Sequence, residues 1–275
     1  MNADFQFSIP MGWEDRHEKL RYATTRGFAI EIAAFASGLA LQDRSVRKTV
    51  EADLLSACAD FPHPLSYHGA FIDLSLHSHD PHIARVATER IHMDMDTAAR
   101  LGCSKVIFHT GFNPLVPVAV YEEQFYARHA TFWPAVAESY PQITICLENH
   151  WEPHPDIFYH LLSGIDHSRV AVCLDVAHAV VYSAVGPEIW VRRLSDRIAH
   201  MHWSDNLGDR DAHLTLGLGN ICWPAILKAA RGLPLRPSIV LELRALDALR
   251  ASFRYLSPLV RRKAGPDRVR RRATA

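Results

Sequence analysis

The sequence is poor in several features that would otherwise decide its class. Of 275 residues only 13 are glycine, below the roughly 7% that soluble proteins average. None builds a nucleotide-binding turn. The first apolar run leads into Ser8-Ile9-Pro10-Met11-Gly12-Trp13, and the later Leu216-Gly217-Leu218-Gly219-Asn220-Ile221 lacks a third glycine and a preceding strand. This excludes the phosphate fingerprint of an open dinucleotide-binding sheet. No run approaches the roughly 18 apolar residues of a membrane span. The opening MNADFQFSIPMGWEDRHEKL has neither the basic start nor the apolar centre of a secretion signal. The five cysteines (Cys58, Cys103, Cys146, Cys173, Cys222) are isolated and form no C-x-x-C pair. Cys146 and Cys173 sit in apolar runs, as small hydrophobes do. A disulfide framework and a thiolate zinc site are excluded, and a reduced, cytoplasmic protein is expected.

Net charge is also missing, since 30 basic residues balance 30 acidic ones. The balance is an average. Segment 261–275 holds seven basic residues and one acid, so it carries +6 and the 260 residues before it carry −6. An acidic body does not attract a phosphate backbone, so nucleic acid is not the expected partner. The basic segment reads as a flexible, solvated tail.

What the chain has in excess is histidine, 17 residues in all, the commonest metal ligand and a frequent acid or base. Their placement follows from the fold. Short apolar runs recur at 5–10, 28–34, 65–71, 105–110, 143–148, 170–176, 198–203 and 238–244. Stretches that read as helices lie between them, at 83–101, 118–139, 223–231 and 245–257, the first closed by Leu101-Gly102 as a helix C-cap. Eight strands alternating with helices predict a single-domain α/β protein, a (β/α)8 TIM barrel over residues 1–260. No repeat or interdomain linker interrupts it.

Six of these runs end in a charged or imidazole side chain: His68, His109, Glu148, Asp175, His202 and Glu242, with His178 three residues past Asp175. The C-terminal strand ends build the active site of a TIM barrel. If Glu148 points inward, alternation turns Cys146 and Thr144 inward too, and likewise Cys173 and Ala171 below Asp175. Converging carboxylates repel unless cations neutralise them, and the apolar strands offer few, so metal ions are the natural solution. Asp211-x-His213, after the seventh run, adds an oxygen and a nitrogen donor from one loop. His200 shares the face of His202 but lies deeper, as a core or supporting residue. Glu31, in the second run, is either a partner to a ligand or half of a structural ion pair.

With the motifs YHGAF, FHTGF, CLENH, CLDVAHA, HMHWSDN, DAHLTLGLGNI and LEL, the chain resembles the xylose-isomerase-like TIM-barrel superfamily from about residue 5 to 257. That superfamily joins sugar (phosphate) isomerases and epimerases to the endonuclease IV family. Resemblance to the endonuclease branch implies nine zinc ligands: His68, His109, Glu148, Asp175, His178, His202, Asp211, His213 and Glu242. Resemblance to the epimerase branch implies one divalent ion on Glu148, Asp175, His202 and Glu242. Two departures lean toward the epimerases. Thr110, not proline, follows His109, and the bulky His150-Trp151 pair follows Glu148-Asn149, which suits a small-molecule pocket better than a DNA groove.

The expected function is therefore metal-dependent isomerisation or epimerisation of a sugar, sugar phosphate or related polyol. Glu148 and Glu242 would be the catalytic pair, His150, Trp151 and Arg244 would contact substrate, and one to three Zn2+ or Mn2+ ions would be bound. The rival is zinc-dependent phosphoester hydrolysis, acting on abasic DNA or another phosphoester. Segment 35–46, with Arg44 its only cation, has few groups suited to entering a duplex. Homo-oligomerisation stays open.

Overall fold

The computed structural model describes residues 5–36, 43–71, 74–116 and 118–261. Eight strands run β1 (Gln6–Met11), β2 (Ala29–Ile32), β3 (Leu65–His68), β4 (Lys105–His109), β5 (Thr144–Glu148), β6 (Val170–Asp175), β7 (Ile198–Trp203) and β8 (Ser238–Leu241). All neighbours are parallel and in chain order, and β8 pairs back to β1 to close the barrel. Helical crossovers, which parallel pairing requires, are α1 (Arg16–Arg26), α2 (Arg44–Cys58), α3 (Pro81–Arg100), α4 (Ala119–Ser139), α5 (Asp156–Ile165), α6 (Val176–Tyr182), α7 (Pro187–Arg193), α8 (Trp223–Arg231) and α9 (Leu246–Arg261). This is the (β/α)8 TIM barrel expected from the spacing of the apolar runs. Of the basic segment, only Arg261, the last residue of α9, is among the described residues.

Local chemistry sets the helix ends. Asp80 accepts from His82 N–H at 2.8 Å and Pro81 opens α3, a first turn that needs no donor from proline. Gly102, at φ +70°, closes that helix in the left-handed conformation that glycine adopts without cost.

Strand alternation divides the core into two. Tyr67, Phe108, Leu147, Leu174, Met201 and Trp203 face outward into the main core, with Phe125, Trp133, Phe158, Trp190 and Trp223 from the helices and the α7–α8 side. Inside the barrel, Ile107, Cys146, Ala171 and Cys173 form a separate small cluster against Ala199. The small residues expected beneath Glu148 and Asp175 are therefore there. Between β6 and β7 the register slips, pairing Val172 with Ile198 but Cys173 with His200. Ala199 is left unpaired, and His202 arrives opposite Asp175. Among the described residues no helix is long and apolar enough to cross a membrane.

Candidate metal centre

The strand ends bring the expected side chains together around Glu148, which is fully buried at the end of β5. Its Oε2 lies 3.3 Å from His68 Nε2 and 3.0 Å from His109 Nε2, the last residues of β3 and β4. Its Oε1 lies 2.8 Å from His202 Nδ1 on β7. Ligand-type atoms of Glu148, Asp175, His202 and Glu242 all fall within 4.8 Å of one another, as do those of His68, His109 and Glu148. A third group adjoins them, with Asp211 Oδ2 at 3.3 Å from His178 Nε2 and 2.9 Å from His213 Nε2.

Asp175 shows how the sequence aims a ligand. It ends β6 and is also the N-cap of α6, where Oδ1 accepts from His178 N–H at 2.6 Å. Capping uses one oxygen and leaves Oδ2 buried without a partner. The three-residue spacing to His178 is thus the geometry of a helix first turn. Asn149, which sequence reasoning assigned no role, clamps the same junction. Its Oδ1 accepts from Asp175 N–H at 2.8 Å, and its Nδ2 donates to the Asp175 carbonyl at 3.0 Å.

The loop carrying Asp211 and His213 hangs on Asp205, another residue without an obvious signal in the sequence. Asp205 is fully buried and pairs with Leu214 through backbone bonds of 2.9 and 2.7 Å. Its carboxylate accepts from Asn206 N–H at 3.0 Å, Ile221 N–H at 3.2 Å, Gly217 N–H at 2.8 Å and the Trp223 indole at 2.9 Å. Gly219 is required there, because a Cβ would lie 2.2 Å from Asp205 Oδ1. His213 itself takes φ +44°, an uncommon conformation for a side-chain-bearing residue.

The donors fit a divalent metal. A metal-binding histidine normally anchors its second nitrogen on a carbonyl or carboxylate. His68 Nδ1 donates to the Gly69 carbonyl at 2.8 Å, His178 Nδ1 to that of Asn149 at 2.8 Å, and His213 Nδ1 to that of Glu242 at 2.9 Å. In each, Nε2 is turned to a carboxylate. Buried oxygens without a hydrogen-bond partner include Glu148 Oε2, Asp175 Oδ2, Asp211 Oδ1 and Glu242 Oε2. Such orphans are costly unless something cationic meets them. Histidine and carboxylate donors at the rim suit a divalent ion, and Cys173 lies below them in a further group with His200 and His202.

Charge is balanced by the imidazoles, a source of cations not anticipated from the apolar strands. Burial opposes protonation of His68, but the Glu148 carboxylate 3.3 Å away, with Glu31, lifts it to about 9. His213 is likewise lifted to about 9 against burial, by Asp211 and Glu242. Against burial, His178 is held well above the usual imidazole range by Asp175, Asp211 and Glu148, and His202 by Cys173, Glu148, Glu31 and Glu242. Burial pushes Asp175 up to about 7, with Glu242 and Glu148 adding to it and His178 opposing. Burial and the neighbouring His178 and His109 push His150 down to about 3.

The expected substrate contacts separate. His150 is part of the cluster, stacked on His178 at 4.5 Å, with its Nδ1 3.2 Å from His109 Nδ1. Trp151 stacks on His150 at 4.5 Å and is 43% exposed, so it forms part of the rim. Arg244 is exposed, and among the described residues its guanidinium meets no partner. Its carbonyl accepts from Lys19 Nζ at 2.9 Å. Glu31 and His200 lie beneath the centre, both fully buried and joined at 3.0 Å.

Fold and site together define a TIM-barrel protein whose mouth is a histidine–carboxylate cluster. The chain matches the family model described as the xylose isomerase-like TIM barrel over residues 22–259 and belongs to that family. It is 28% identical over 174 residues to the uncharacterized protein MJ1311 of Methanocaldococcus jannaschii, and the match spans 58% of each chain. Among solved structures, the TTHB071 protein of Thermus thermophilus, soaked with ZnCl2, is 25% identical with a TM-score of 0.74. That match covers 93% of this chain and 98% of the other. A D-tagatose 3-epimerase-like protein superposes with a TM-score of 0.77 at 22% identity, over 93% of this chain and 97% of the other. Sugar epimerases recur among the solved structures that share the fold.

Proposed function

We propose that the protein is a divalent-metal-dependent isomerase or epimerase of a sugar, sugar phosphate or related polyol, working by proton transfer α to a carbonyl. One observation carries this reading. Glu148 and Glu242, from β5 and past the end of β8, converge with Asp175 and His202, and each glutamate keeps a buried oxygen without a partner. Zn2+ or Mn2+ held by these four residues would act as a Lewis acid on the substrate carbonyl. Glu148 and Glu242 then do the proton work. One carboxylate takes the proton α to the carbonyl, and the other, protonated at the start, delivers its own proton. Delivery is on the opposite face for epimerisation or, with the hydroxyl proton passing to the former carbonyl oxygen, at the neighbouring carbon for isomerisation. Solvent then restores the two protonation states. His150 and Trp151 present a stacked aromatic wall to the sugar ring. Arg244, exposed past the end of β8, would reach a substrate hydroxyl or phosphate only by its side chain turning back over the mouth.

A second reading, zinc-dependent phosphoester hydrolysis, is favoured by the flanking groups. His68 with His109, and His178 with Asp211 and His213, are more donors than one ion needs, and they frame Glu148 and Glu242 on both sides. One pair of assays separates the two. The isomerase reading expects deuterium from D2O to enter a ketose at the carbon α to its carbonyl, with no cleavage of an abasic-site oligonucleotide. Cleavage without exchange would replace that reading with the second one.

A further inference from the structure

TIM-barrel interiors are normally filled with branched apolar side chains in layers. This one carries a polar column. At the lower end Lys105 Nζ, from the first position of β4, donates to the Ala199 carbonyl and to Ser238 Oγ, both at 2.7 Å. Ser238 Oγ lies 2.6 Å from His200 Nδ1, and His200 Nε2 lies 3.0 Å from Glu31 Oε2. Ser66 Oγ also donates to Glu31 Oε2, at 3.1 Å. At the upper end Glu31 Oε1 lies 3.1 Å from His202 Nε2, close but not aligned as a full hydrogen bond.

The column has one consistent direction. An ammonium can only donate, so the single hydroxyl proton of Ser238 is turned to His200 Nδ1. His200 then carries its proton on Nε2 and gives it to Glu31. Every group beneath Glu31 donates toward it, so its other oxygen is left as an acceptor for His202 Nε2–H. With Nε2–H turned to Glu31, Nδ1 is the nitrogen a metal can take: it donates to Glu148 Oε1 at 2.8 Å, lies 3.7 Å from Glu242 Oε2, and would give up its proton to an incoming ion.

We propose that Glu31 is the positioning residue of the metal centre: from β2 it fixes the ring and tautomer of His202 so that Nδ1 faces the Glu148–Asp175–Glu242 cluster, and it thereby sets the affinity of that cluster. The inference rests on the metal-dependent reading above and assigns a role to a residue outside the ligand set. Supporting carboxylates of this kind are worth roughly 10- to 100-fold in metal affinity. The alternative is that Glu31 merely neutralises buried imidazoles.

The test titrates Co2+ into the chelator-treated full chain, wild type and Glu31→Gln, reading the dissociation constant and the visible d–d bands. The expected result is binding weakened about 10- to 100-fold in Glu31→Gln, with displaced bands, because the ligand field at His202 changes. A purely structural role would lower the melting temperature and leave affinity and bands unmoved, which overturns the inference. If Glu31→Gln does not fold, Ser66→Ala removes one donor to the same carboxylate and should weaken binding in the same direction by less. Unchanged affinity in that folded variant likewise overturns it. A wild type that binds no Co2+ is a different outcome, since it overturns the metal-dependent reading itself and the inference with it.

Discussion

Glu148→Gln is expected to abolish turnover, with a loss of at least about 10^3-fold, at the upper part of what one acid–base group supplies. The expectation is large because Glu148 belongs to two ligand groups at once. One oxygen faces His68 and His109, and the other faces His202. Glutamine keeps the shape but removes the charge, and it sets an amide donor among imidazoles that must offer lone pairs to a metal. Bound metal should fall together with activity. Glu242→Gln should also abolish activity, yet Glu242 lies beside His202 and His213 and not between the other histidines. Steady-state kinetics and elemental analysis on folded, purified variants check both. Activity at the wild-type level in Glu148→Gln would show that the site is misassigned.

The largest expected effect on stability belongs to Asp205→Ala, a residue that touches no candidate ligand. Four donors lose their acceptor, three of them buried: the N–H groups of Asn206 and Ile221 and the Trp223 indole, with the part-buried Gly217 N–H the fourth. Each unsatisfied group costs about 1–3 kcal/mol, so even with relaxation the total is roughly 4 kcal/mol, a large part of a typical domain's stability. The same loss frees the loop that holds Asp211 and His213, and metal affinity at the His178 group should drop with it. Urea unfolding of the chelator-treated protein measures the first effect without the second. A change below about 1 kcal/mol would mean that the loop is held by other contacts.

Much of this was legible in the sequence, for identifiable reasons. Strand run and spacing gave the barrel, because a buried parallel strand is a short apolar run and its polar terminus is conspicuous. His68, His109, Glu148, Asp175 and His202 could be read that way, each standing where its run stops. Asp205 and Asn149 could not. Their function is to accept and donate backbone hydrogen bonds across elements, and no local periodicity records such a partner. Glu31 sits within FAIEIAA, where alternation turns it inward, but nothing in the sequence says that His200 and Ser66 meet it there. Arg244 shows a limit of alternation. It stands two residues past Glu242, but β8 ends at Leu241 and Leu243 N–H turns back to the Leu241 carbonyl at 2.8 Å. The inward direction of Glu242 is therefore not inherited. The tautomers of His68, His178 and His213 were equally hidden, because each is set by a carbonyl that only the folded chain supplies.

The central claim is that this cluster is a metal centre built on Glu148, and calorimetric titration of Zn2+ into chelator-treated protein at pH 7 tests it most directly. His68 and His213 are each lifted to about 9, so both are protonated at that pH. Being raised above 6.5, they stabilise the metal-free protein fully below that value and lose the contribution as pH climbs through about 9. Zinc must displace those protons. Repeating the titration in buffers of different ionisation enthalpy should show at least one ion bound per chain with net proton release, tighter at pH 8 than at pH 6, and lost in Glu148→Gln. Binding that releases no protons and survives Glu148→Gln, or no binding at all, would contradict the assignment.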